Sequence, residues 1–433
     1  MKILVAAWDS GGGVEVVQTV VESAVARGHE VRVLGTESLR GRFEAAGATF
    51  LRYQHAPDND TSTAETDLVK DWEAGNPLTL FGRVRDRLMC GPARDFCLDV
   101  AEELVSAPAD VVVIDTMIPA AMFGAEAAGV PAVILMHGPC MIPRQGAPTF
   151  GTGFMPATTN LGRLRDRAGK ALTLAVMRSG LPALNQARAD AGLQPIRDLF
   201  DLMGRAARIL VCSSPSYDFG SGSVPANVRY VGPQLDYADR GTFDDSLLAR
   251  PGRPLVLVGL SSTVMLQEGL LQRTADALGQ LDVSGLITTG PAVDPSVIRA
   301  PPNVLVRQWA RHADILPHCS AVITHGGHGT VMKALLAGVP QVVVPLGRDQ
   351  PDNAARVVEL GAGIRLRKNA RVSAIVDAVE ELLAQPGYRA AAVAAAVRLR
   401  AERIDGSVVD ELERVASASA RKVPGLTLDR AAD

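Results

Sequence analysis

The chain has 433 residues, too long for one ordinary core and suited to two or three domains. Apolar residues make up 47 % and charged residues 21 %, with a net charge of −3 and no long run of either sign. That balance fits a globular protein and excludes a basic stripe for nucleic acid or a polybasic membrane patch. No apolar run is long enough to span a bilayer, and the N-terminal run, broken by Asp9, is too short for a signal peptide. Cys90, Cys97, Cys140, Cys212 and Cys319 lack metal-ligand spacing, so reduced thiols, a cytoplasmic location and no bound metal are expected.

In chain order, Ile3 to Ala7 reads as a buried strand, followed by the glycine-rich stretch WDSGGGVEVVQ that starts at Trp8. Val14, Val17, Val20, Val21, Ala24 and Val25 then recur at helical spacing, and Gly28 supplies the stop. Glu30 to Leu34 is a second strand, and the polar, aperiodic residues 56–76 read as a mobile loop. Val111 to Ile114 and Ala132 to Leu135 are short β-branched strands flanking the alanine-rich stretch 120–128. Residues 225–253 are rich in turn formers. A second series of strands opens at Leu255 to Val258 and continues at 285–288, 304–306, 321–323 and 341–344. Residues 390–402 and 408–418 read as helices, and 423–433 as a frayed tail.

Strands alternating with helices predict an α/β protein with two Rossmann-like, doubly wound domains facing a central cleft. The expected division is 1–235, a linker at 236–252, a second domain at 253–404, and a terminal helix and tail at 405–433 packing back toward the first domain. Ligands of such sheets bind outside the strand C-terminal ends, which makes the cleft the expected site.

The most informative segment is THGGHGTVMKALLAGVPQVVVPLGRDQPDNAARV, residues 324–357. A strand runs into His325-Gly326-Gly327-His328-Gly329-Thr330, and a helix starts there. Glycines expose backbone N–H groups and the helix N-terminus adds positive dipole, a combination suited to a diphosphate. A tight turn without ligand is the plainer alternative.

This segment resembles the nucleotide-binding signature of inverting, metal-independent glycosyltransferases of the GT-B fold. The likeness is to actinobacterial macrolide and antibiotic glycosyltransferases, relatives of the UDP-glycosyltransferases. GLPALNQARADAGL, NVRYVGPQLD and ARGHEVRVLG extend it over nearly the whole chain. The resemblance implies a TDP- or UDP-linked sugar as cosubstrate, no further cofactor, and a small apolar natural product as acceptor. No nucleic-acid partner or membrane span is implied, and a homodimer is compatible with it.

It further implies that His325 and the backbone of Gly327, His328, Gly329 and Thr330 hold the diphosphate, completed by Ser261 and Ser262. Trp309 would stack on the base and the Ala310 backbone would read its edge, unless Trp309 is a core aromatic. Asp349 and Gln350 would bind sugar hydroxyls, whereas His312 and His318 are expected to be structural.

Two positions depart from the family. A Glu that accepts from the ribose is replaced by Lys333, which can only donate. Lys333 either points to solvent while a neighbour serves the ribose, or alters nucleotide binding. The second departure is Gly13, which stands where the family has its catalytic His or Asp. Asp115, after strand 111–114, matches the residue that orients the base, although an N-terminal helix cap is an equal reading. His137, after strand 132–135, is the second catalytic candidate, with an unperturbed pKa of about 6.5 suited to base chemistry. Asp9 and Glu15 flank the glycines and could also reach the cleft. A sugar transferase with a replaced base is thus the first expectation, and a non-catalytic or repurposed protein of the same fold the second. A dinucleotide-dependent oxidoreductase fits poorly, because Gly11-Gly12-Gly13 lacks the G-x-G-x-x-G spacing.

Overall fold

The computed structural model describes residues 1–74, 77–235, 244–402 and 407–420. Residues 236–243 of the expected linker and the expected tail at 423–433 lie outside the described residues.

Among the described residues, thirteen strands form two all-parallel sheets. The first contains β1 (Lys2–Ala6), β2 (Glu30–Gly35), β3 (Thr49–Arg52), β4 (Val111–Asp115), β5 (Ala132–Met136), β6 (Arg208–Val211) and β7 (Val228–Tyr230). Their order is β3-β2-β1-β4-β5-β6-β7. The second contains β8 (Leu255–Gly259), β9 (Ser284–Thr288), β10 (Val304–Arg307), β11 (Cys319–Thr324), β12 (Gln341–Val343) and β13 (Gly363–Arg365). Its order is β10-β9-β8-β11-β12-β13. The doubly wound α/β expectation therefore holds in both halves.

Covering both faces explains why the central strands are unbroken apolar runs rather than alternating ones. Leu4 and Ala6 of β1 join a core with Trp8, Phe96 and Phe123, whereas Ile3 and Val5 join one with Val14, Val17 and Val21. The latter group lies on helix α1 (Gly12–Ala26), which buries one valine-rich face as its spacing predicts. The helix Ser407–Ala420 also packs on this sheet through Val408, Val409 and Leu412, and Arg27 pairs with Asp410 at 2.5 Å.

Some expectations are corrected. Strands β3, β6, β7 and β13 were not expected; β7 lies inside the turn-rich stretch. Residues 56–74 are irregular but pinned rather than loose. Asn59 donates through Nδ2 to the Asp9 carbonyl at 2.8 Å, and Thr61 donates through Oγ1 to Asp9 Oδ1 at 3.0 Å. All five cysteines are buried and unbridged. Among the described residues no helix is long and apolar enough to cross a membrane.

In each sheet the chain reverses direction of winding beside the first strand, between β1 and β4 and between β8 and β11. The crevices at these two points face each other.

Candidate functional site

The facing strand ends enclose a cleft of about 1710 Å³ lined by both domains. Every residue expected at the donor site lines it, as does His137, while Asp115 lies fully buried behind that histidine.

On the C-terminal side, β11 ends at Thr324 and the helix α2 (His328–Leu336) starts after three residues. Gly326 adopts φ +92°, which turns the chain, and Gly327 approaches the His325 ring so closely that a Cβ would sit 2.6 Å from Nε2. The resulting nest of N–H groups at a helix start is a ready anion site. Burial holds His325 down at about 4, so its ring is neutral near pH 7 in the ligand-free chain.

The His328 side chain is engaged away from the cleft. Its Nε2 lies 3.1 Å from the Cys212 carbonyl of the other domain and its Nδ1 lies 3.4 Å from Asn353 Oδ1. The ring therefore serves the domain interface, and its backbone is what the cleft receives. Ser261 is likewise internal: its Oγ accepts from the Thr263 backbone at 3.1 Å, whereas Ser262 is exposed. Trp309 is 74 % exposed, which excludes the core reading and leaves a bare indole face at the cleft.

Asp349 and Gln350 open the helix α3 (Gln350–Glu359) and its preceding turn. Asp349 Oδ2 accepts from Asn353 Nδ2 at 2.8 Å, and burial pushes this carboxyl up. Gln350 Oε1 accepts from the Leu346 and Gly347 backbones at 2.7 and 3.0 Å, fixing the loop. Its amide nitrogen meets the Met265 sulfur at 3.5 Å.

Acid sensitivity follows from the buried imidazoles. His325 and His328 are both held at about 4, against about 6.5 in an unfolded chain. Between those values the unfolded state binds more protons, so these groups make stability fall as pH drops. Asp349 and Asp352, pushed up by burial, act in the opposite sense. The check is therefore differential: the melting temperature of a His325→Gln variant should fall less than that of the native chain between pH 7 and 4.5. Parallel curves would contradict it.

On the N-terminal side, the loop after β1 is anchored by Trp8, stacked edge-on against Phe96 at 5.7 Å. Asp9, a candidate to reach the ligand, is instead saturated by Gly11, Ser38 and Thr61. Gly11, at φ +73°, packs so tightly on Thr263 of the other domain that a Cβ there would collide with it. Gly12 meets nothing within 4 Å. At Gly13 a Cβ would collide with His137 Nδ1 and Ser10 Oγ and lie 2.9 Å from His137 Cε1.

The space left by Gly13 is thus taken by the imidazole of His137. Its Nε2 lies 3.4 Å from Asp115 Oδ2, within ion-pair distance although not aligned as a hydrogen bond. Asp115 Oδ1 accepts from the Met117 backbone at 2.8 Å, so Asp115 both caps a turn and faces the imidazole. Burial pushes its carboxyl up, and the neighbouring imidazole pulls it back down. Ser10 Oγ, Asp115 Oδ2 and His137 Nε2 are all buried without a hydrogen-bond partner.

Cross-cleft contacts escaped the sequence reading. Lys333 Nζ pairs with Glu15 Oε1 at 2.5 Å, and Arg348 Nε donates to Asp71 Oδ2 at 2.5 Å. Arg348 has φ +57°, an uncommon conformation for a side chain of its size, beside the Asp349–Gln350 pair. No local pattern announces either pair, although Lys333 stands out as a departure. Beyond His137 the cleft is apolar, with Phe81, Met89, Met117, Met141, Met177 and Phe200 among its lining.

Two Rossmann-like domains meeting at an anion nest, an open indole and an apolar chamber define a GT-B fold. Comparison with known proteins agrees. Residues 272–415 match the family model described as erythromycin biosynthesis protein CIII-like, C-terminal domain. The chain is 31 % identical to 4'-demethylrebeccamycin synthase of Lentzea aerocolonigenes, over 96 % of this chain and 98 % of that one. Among solved structures, the glycosyltransferase of kitacinnamycin superposes with a TM-score of 0.74 at 21 % identity, covering 96 % of this chain and 99 % of that one. The glycosyltransferase VinC, solved in complex with dTDP, gives 0.69 at 20 % identity, covering 96 % and 100 %. The chain belongs to the glycosyltransferases of actinobacterial natural-product pathways, and it is a glycosyltransferase.

Proposed function

We propose that this protein transfers a sugar, with inversion and without a metal, from a TDP- or UDP-sugar to a small, largely apolar natural product. The observation that carries the proposal is the His137 imidazole standing in the volume vacated at Gly13, with Asp115 behind it. With Nε2 turned to Asp115, Nδ1 is the nitrogen that takes the proton from an acceptor hydroxyl. The acceptor oxygen bonds to the anomeric carbon as the bond to the diphosphate breaks on the opposite face. Asp115 stabilises the imidazolium that forms. The charge left on the diphosphate is received by N–H groups at the start of α2 and by the helix dipole, which are already oriented. VinC was solved with dTDP, and the exposed Trp309 indole and the glycine-rich start of α2 line one cleft here, which supports the nucleotide reading. The apolar chamber beside His137 suits an acceptor with little polar surface.

A non-catalytic reading drew on Gly13 and Lys333, but neither position leaves a gap. An imidazole occupies the first site and a carboxylate partners the second.

Titration calorimetry with UDP and TDP in EDTA tests the donor half. Binding at submillimolar concentration is expected, and Trp309→Ala should weaken it by roughly 10- to 100-fold through lost base stacking. Because Trp309 is exposed, its loss should leave the melting temperature nearly unchanged. Absence of binding to both nucleotides would refute the proposal.

A further inference from the structure

Glu15 and Lys333 form an ion pair that crosses the cleft, from the first turn of α1 in one domain to α2 in the other. The contact is 2.5 Å long, the side chains are 32 % and 19 % exposed, and both residues line the cavity. Resting on the reading of this cleft as a nucleoside diphosphate site, the pair has a definite place. Lys333 stands one turn beyond Thr330 in the anion nest, and Trp309 lines the same cavity. A nucleotide with its base on the indole and its phosphates in the nest must put its ribose along the wall between them.

Ribose hydroxyls are donors that need an acceptor, and an ammonium has none to offer. Glu15 does. A carboxylate has about four lone-pair sites, so it can accept from a hydroxyl while it stays paired with Lys333. The N-terminal turn of α1 also favours negative charge at that position. We infer that Glu15, from the opposite domain, is the carboxylate that receives the ribose hydroxyls, and that Lys333 is the positioning residue that holds it. Donor affinity then depends on both domains, because the base and phosphates are bound by one and the ribose is read by the other.

The sign of the effect separates this role from a simple interdomain latch. Removing Glu15 deletes a negative charge beside an anion site and unmasks Lys333. Electrostatics alone would make every diphosphate bind more tightly. Titration calorimetry of native, Glu15→Ala and Lys333→Ala proteins with UDP, TDP and inorganic pyrophosphate reads this directly. Glu15→Ala should weaken UDP by roughly tenfold, the scale of a hydrogen bond to a charged group. The loss for TDP should be smaller, since its deoxyribose offers one hydroxyl fewer, and pyrophosphate should bind as before or more tightly. Lys333→Ala should weaken UDP less than Glu15→Ala does. Lys333→Glu alone should also weaken UDP by setting two carboxylates together, and adding Glu15→Lys should restore binding by re-forming the pair in reverse. The inference is overturned if Glu15→Ala leaves UDP affinity within twofold of native, or shifts UDP and pyrophosphate alike. A native protein that binds neither nucleotide removes the nucleotide reading itself, and this inference with it.

Discussion

Replacing His137 by glutamine is expected to lower kcat by about 10²- to 10⁴-fold, the usual contribution of a positioned general base. Glutamine fills much of the imidazole's volume, so the melting temperature should change little. Calorimetric Kd values for UDP and TDP should stay within twofold, because the ring belongs to the N-terminal domain, between the end of β5 and the first turn of α1. Asp115→Asn should act in the same direction. It keeps the turn contact to Met117 but loses the charge that stabilises the imidazolium. A His137→Gln variant that turned over at the native rate would require another base. Asp9 could not supply it readily, since Gly11, Ser38 and Thr61 already hold its carboxylate.

The second large effect belongs to Gly13. Gly13→Ala should cost activity on the order of 10²-fold, because a Cβ there must displace the His137 ring from its place beside Asp115. The effect on folding should be small, through a cancellation. Gly13 lies in the first turn of α1, where alanine gains up to about 1 kcal/mol of helix propensity. Overpacking costs about 1–3 kcal/mol, and part is relieved because the Ser10 hydroxyl can rotate aside. The measurement is kcat beside the melting temperature. A variant as active as the native protein would show that the imidazole can move without consequence. The same geometry predicts that Gly13→His, which installs the residue most common in the family, abolishes activity instead of raising it. Two imidazoles cannot share that volume.

Much of the fold is written in local pattern. Most strands found from sequence are apolar runs, because both sheet faces are covered by helices; β2, with Glu30 and Arg32, is the charged exception. Those missed are three or four residues long and carry an arginine: Arg52, Arg208, Arg229 and Arg365. Three of them are sheet edges, where short and charged strands are the rule and periodicity has little to register. Residues 56–74 read as loose because they are polar and aperiodic. They are held by hydrogen bonds to Asp9, far away in sequence, which no window of neighbours contains.

The site divides in the same way. The strand–glycine–helix grammar of residues 324–330 is legible from sequence, and the end of β11, the turn at Gly326 and the start of α2 follow it. Side-chain roles do not follow so directly. His328 and Ser261 line the cleft, yet their polar atoms are committed to Cys212, Asn353 and Thr263.

The three consecutive glycines make the distinction concrete. By local pattern they are equivalent, a turn between a strand and a helix, and only the family resemblance sets Gly13 apart. In the folded chain Gly11 lets the other domain approach, Gly12 faces open space, and Gly13 makes room for an imidazole from the end of β5. Local pattern carries the two α/β halves, the glycine-rich turn before α2 and the missing side chain at residue 13. What fills that absence, and which carboxylate faces Lys333, come from the packed fold. Periodicity and loop chemistry are properties of neighbouring residues, whereas the volume beside Gly13 and the charge opposite Lys333 come from segments that meet only when the sheets are assembled.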